Sequence, residues 1–185
     1  MRPRARSWLL LVVSMLAVWT AALRAADSQG SVEYQVKAAY LYNFTRFVEW
    51  PAHAHTANNS KIAICLLGDD PFGPALDSIA GKAVKDSNLK IRRHKTVAEL
   101  DGCQVVFISD SEQGHLDQIL RELRNRPVLT VGESENFNRL GGVVQFTLEK
   151  NKVHFNIDPD AAERAQLTIS SKLLNLATIV RESRP

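Results

Sequence analysis

The sequence predicts a three-layer α/β/α domain with a mixed, mainly parallel sheet and a C-terminal β-hairpin plus helices. Three observations carry this. Short apolar runs bounded by turn residues, KIAICLL at Lys61 to Leu67 and QVVFIS at Gln104 to Ser109, have the unbroken hydrophobicity of strands covered on both faces. Segments of helical spacing alternate with them, as in βαβ units. Two adjacent period-two runs late in the chain read as an antiparallel hairpin.

The elements follow in order. From Ser31 to Trp50 the residues Val32, Val36, Ala39, Tyr40, Phe44, Phe47 and Val48 recur at three-to-four spacing, with Glu33, Lys37 and Arg46 between them. This is an amphipathic helix, ended by Pro51 and followed by a polar loop to Ser60. After the strand Lys61 to Leu67, a helix is expected over Pro71 to Ile79, a strand over Leu89 to His94 and a short helix over Thr96 to Leu100. The buried strand Gln104 to Ser109 leads to a helix over Glu112 to Asn125, with Ile119, Leu120 and Leu123 inward, and a strand over Pro127 to Val131. Gly141 to Leu148 and Lys152 to Ile157 form the hairpin. Asp158 and Pro159 open a region read as helical, through Ala161, Ala165, Leu167 and Ile169 to Leu173, Leu176 and Val180. No internal repeat or second-domain boundary is visible.

The N-terminus carries Arg2, Arg4 and Arg6 before an apolar run from Trp8 to Leu23. This is the layout of a signal peptide over residues 1–25, leaving residues 26–185 as the folded domain. At about sixteen residues the run is shorter than the roughly twenty a membrane span needs. Ala21, Ala22, Ala25 and Ala26 supply small residues for cleavage between Ala22 and Asp27, and an uncleaved anchor is the alternative. No cysteine stands there for lipid attachment.

Removing residues 1–25 takes away four arginines and no acid, so 23 Lys+Arg and 20 Asp+Glu become 19 and 20. The mature chain is near neutral. Its high overall pI belongs to the export segment and gives no argument for a nucleic-acid partner. The two cysteines, Cys65 and Cys103, form an even pair in an exported chain and are read as bridged, with two separate buried thiols as the alternative. No histidine spacing near them matches a zinc site, and no metal or cofactor is expected.

Four segments together resemble one family. They are KAAYLYNFTRFVEWP at Lys37 to Pro51, GDDPFG at Gly68 to Gly73, GGVVQFTLEKNKVHFNID at Gly141 to Asp158 and AAERAQLTISSKLLNLATIV at Ala161 to Val180. In this order they are similar to the YfiR-like family. The resemblance implies a periplasmic repressor that binds the periplasmic sensor domain of an inner-membrane diguanylate cyclase, or a sensor kinase, and lowers cyclic-di-GMP. It also implies a homodimer and an outer-membrane lipoprotein that sequesters the repressor. The family's disulfide carries over onto Cys65 and Cys103. A second cysteine pair found in some relatives around the hairpin is absent, since Phe137 to Leu148 contains no cysteine. Thr168 and Ser170 stand where some relatives have basic or imidazole groups.

The residues themselves also offer an enzymatic reading. Asp69 and Asp70 after the first buried strand, Asp110 after QVVFIS, Thr130 and Lys150 mimic a phosphoacceptor pocket of a receiver domain. The competing reading makes the aspartates turn and N-cap residues. A small-ligand pocket near Asp69, Asp70 and Asp110 is the alternative function. His53 and His55 sit on a polar loop without a further ligand type close by, and His94, His115 and His154 are scattered. No Ser or Cys is spaced to pair with a base and an orienting acid, and Ser170 reads as a helix cap. The chain is therefore expected to act by binding proteins, not by catalysis.

Overall fold

The computed structural model describes residues 32–54, 62–85 and 87–181. The expected export segment, residues 1–25, and His55 lie outside the described residues. In chain order the helix α1 covers residues 32–47, followed by β1 (Val48–Glu49), β2 (Ala63–Leu67), α2 (Pro74–Asp77), β3 (Ala83–Val84), β4 (Ser87–Asn88) and β5 (Lys90–His94). Then come β6 (Val105–Ile108), α3 (Leu116–Leu123), β7 (Leu129–Gly132), β8 (Val144–Glu149), β9 (Lys152–Ile157), α4 (Pro159–Arg164), β10 (Thr168–Ile169), α5 (Ser171–Leu174) and β11 (Thr178–Ile179).

The main sheet has seven strands in the order β11-β9-β8-β7-β6-β2-β5. From β5 to β8 every neighbouring pair is parallel, β8 and β9 are antiparallel, and β11 runs parallel to β9. The unbroken apolar runs lie at the centre, as their patterning requires. Ile64, Leu66, Val105, Phe107, Leu129, Val131, Phe146 and Phe155 point to one face, under Ala38, Leu41 and Phe44 of α1 and Ala161 and Ala162 of α4. Ala63, Cys65, Leu67, Val106 and Ile108 point to the other, under Leu116, Ile119, Leu120 and Leu123 of α3. Helices on both faces make the three layers.

The hairpin forms as its alternation predicts. Glu149 pairs with Lys152, and Lys150 and Asn151 between them both have positive φ, 49° and 61°, the two-residue turn that matches strand twist. The C-terminal region departs from the helical expectation. Asp158 caps α4 by accepting from the amides of Asp160 and Ala161 at 2.9 and 3.1 Å. Gln166, at φ 57°, then turns the chain out of the helix. The β-branched pairs Thr168–Ile169 and Thr178–Ile179 become strands, the first against β1 and the second against β9. The same β1–β10 ladder ends α1 at residue 47, before Pro51 is reached.

Two glycines are needed for space. Phe137, fully buried, lies between Gly132 at the end of β7 and Gly142 before β8. A Cβ on either would fall 2.2 Å from a ring carbon of Phe137.

Candidate functional site

The order of the strands reverses between β2 and β6, since the chain passes from β2 outward to β5 and returns to β6. Open α/β sheets place ligands outside the carboxyl ends of such a pair. Here that position is filled from within. The turn Asp110–His115 folds over the end of β2, and Ser111 accepts the Asp69 amide proton at 2.9 Å. A Cβ on Gly68 would lie 2.5 Å from Ser111 Oγ and 2.9 Å from Glu112 Cγ.

Each sequence-selected aspartate has its own partner. Asp69 pairs with Lys95 at 2.7 Å. Asp70 accepts from the amides of Phe72 and Gly73 and pairs with Arg93 at 2.7 Å, so it organises the turn into α2. Asp110 accepts from Ser134 Oγ at 2.6 Å. Thr130 accepts the Val143 amide proton at 3.0 Å, and Lys150 stands exposed at the hairpin tip. Ser170 caps α5, its Oγ accepting from Leu173.

One strand further along, a polar cluster gathers that no local signal marks. Tyr34 and Lys37 of α1 reach over the end of β7, where Tyr34 donates to Glu133 at 3.0 Å. The Lys37 ammonium is buried between Glu133 and Glu33, the latter at 2.5 Å, and stands 4.5 Å from the centre of the Tyr34 ring. Burial and the Glu133 carboxylate push the Tyr34 phenol well above its ordinary range. Tyr34 meets Phe72 edge-on at 5.1 Å, and Phe72 meets Phe107 at 4.8 Å, which fixes the cluster to the core. Gln145 donates to the carbonyls of Ser134 and Glu135 at 2.9 and 3.0 Å, holding the loop beyond β7.

These groups line an open groove of about 430 Å³ that carries Glu33, Asp110, Glu133 and Glu135 against the single ammonium of Lys37. Leu148, 53 % exposed, forms its rim. A second, apolar groove along α1 is lined by Val32, Val36, Ala39 and Tyr40. Exposed apolar side chains thus stand beside acidic ones on this face.

Cys65 and Cys103 are joined in the structure, with Cα atoms 5.9 Å apart. The bond ties the centre of β2 to the residues before β6 beneath α3. The structure also brings His94 beside it. Among the described residues, Cys65, His94 and Cys103 are the group of potential metal ligands that converges, within 4.8 Å of one another.

The profile of the YfiR/HmsC-like family matches residues 34–178, from the start of α1 to β11. The chain belongs to that family. YfiR/HmsC-like proteins are periplasmic regulators rather than enzymes. Among solved structures, the chain is similar to a conserved domain protein from Vibrio cholerae O1 biovar eltor, with 10% identity and a TM-score of 0.45 over 70% of this chain. The match spans 57% of that protein's length. No helix among the described residues is long and apolar enough to cross a membrane.

Proposed function

We propose that this protein is exported by a signal peptide over residues 1–25, which is then cleaved, and represses an inner-membrane diguanylate cyclase by binding the cyclase's periplasmic sensor domain. The observation that carries the reading is the family match over residues 34–178, nearly all of the described domain. The surface supports it. The aspartates at the strand ends are engaged in turns and ion pairs, while α1 and the hairpin rim present apolar side chains beside an acidic groove. A regulator of this kind works by binding one state of its partner more tightly than the other. A differential of about 2.7 kcal/mol shifts a two-state equilibrium about a hundredfold. A homodimer and a sequestering outer-membrane lipoprotein complete the proposal.

Deleting the gene in a strain with an adjacent membrane cyclase gene should raise cyclic-di-GMP, and the full-length protein should restore the low level. A version lacking residues 1–25 should not. Leu148→Asp should fold normally and fail to complement, because it places a charge at the apolar rim. Unchanged cyclic-di-GMP in the deletion strain overturns the repressor role, and full complementation by Leu148→Asp moves the contact elsewhere on the surface.

A further inference from the structure

The disulfide has a third neighbour. β5 pairs with β2 in parallel register, Leu67 opposite His94, so His94 shares the sheet face of Cys65 two residues earlier. One ring nitrogen of His94 and the sulfurs of Cys65 and Cys103 all lie within 4.8 Å of one another. His94 Nδ1 stands 3.9 Å from a carboxylate oxygen of Glu99, and His94 Nε2 is buried without a hydrogen-bond partner. A buried polar nitrogen left unpaired is costly, and disulfide sulfur is at best a weak acceptor.

We infer that reduction of the Cys65–Cys103 disulfide turns this cluster into a Zn²⁺ site made of two thiolates and one imidazole. In the reduction a dithiol donor gives two electrons and two protons, the S–S bond breaks to two thiols, and the donor leaves as its own disulfide. Zn²⁺ then displaces one proton from each thiol and binds both sulfurs and the neutral imidazole, without changing its oxidation state. Tetrahedral zinc with Zn–S bonds of about 2.3 Å needs sulfurs roughly 3.8 Å apart. That separation lies within the span the three residues already occupy. Two thiolates balance the charge of the ion, which a buried site requires. The ion would replace the covalent link and hold β2, β5 and the start of β6 together in the reduced protein.

The test uses the purified full domain, oxidised and reduced, titrated with Zn²⁺ alone against a chromophoric chelator, with thermal melting of the same samples. The reduced protein should take one equivalent and melt higher with zinc than without, whereas the oxidised protein and the reduced Cys65→Ser/Cys103→Ser variant should do neither. His94→Gln should weaken the reduced protein's affinity by about tenfold or more. Co²⁺ in place of Zn²⁺ should give a thiolate-to-cobalt charge-transfer band. Three results overturn the site: no uptake by the reduced protein, uptake unchanged by His94→Gln, or a reduced protein that has lost its fold both with and without zinc.

Discussion

Lys37 of α1 and Glu133, just past β7, form a buried ion pair across 96 residues of sequence. Lys37 is 4 % exposed, and its ammonium is shared with Glu33 one turn earlier. A buried pair adds little over a well-packed apolar pair, but removing one member strands the other, at a cost of about 3–5 kcal/mol. Lys37→Met should lower stability by that order, and Lys37→Met/Glu133→Gln should recover much of it. Urea denaturation of both variants decides. Equal losses in the single and double variants would show that the charge of Glu133 is not what the lysine neutralises.

Tyr34 sets the alkaline limit of the same cluster. Its phenol is held protonated above the ordinary tyrosine range by burial first and by Glu133 second. A group whose pKa is raised on folding contributes stability that is fully present below its unfolded pKa, near 10, and lost as pH climbs beyond it through the folded value. Wild-type stability should therefore fall on the alkaline side, and Tyr34→Phe should flatten that limb while costing about 1.5–3 kcal/mol at neutral pH through the lost bond to a carboxylate. Melting curves from pH 7 to the alkaline end of the folded range provide the measurement, and parallel limbs in the two proteins would remove Tyr34 from the account.

The Cys65–Cys103 bond closes a loop of about forty residues, for which loop-closure entropy gives roughly 4 kcal/mol. In the absence of added metal, Cys65→Ser/Cys103→Ser should melt about ten degrees lower than the oxidised protein. Peptide mapping without reduction should recover the two cysteines in one linked fragment. Free thiols at both positions, or an unchanged melting temperature, would contradict the structural role.

Gly132→Ala and Gly142→Ala should each destabilise by about 1–3 kcal/mol, since either methyl group meets the Phe137 ring inside contact distance. Combining Gly132→Ala with Phe137→Leu should cost less than the sum of the separate changes, because the smaller side chain makes room. Strict additivity in denaturant melts would argue against the steric reading.

What the sequence discloses follows from how local each signal is. KIAICLL and QVVFIS announce central strands because both faces of each are apolar, and the turn at Lys150 and Asn151 closes a hairpin whose alternation is visible in twelve residues. Thr168–Ile169 and Val48–Glu49 sit in stretches of helical spacing, and only their pairing across the chain makes them strands. Lys37 resembles the other charges on an amphipathic helix, and nothing nearby shows that Glu133 will cover it. His94 looks like one scattered histidine among five until the register of β5 against β2 sets it beside the cysteines.

The ladder between β1 and β10 also governs the order in which the molecule can be assembled. α1 emerges early, yet Phe44 packs on Phe146 and Phe155, about a hundred residues downstream, and the chain leaving the helix is anchored by β10, later still. Part of the cover of α1 therefore comes late in the chain. Until the C-terminal third arrives, Phe44 lacks Phe146 and Phe155, and the contacts that finish the domain are the ones with the longest sequence separation and the slowest closure. A truncation that removes β10 would take away the strand paired with β1, so a loss late in the chain is felt at the exit of α1.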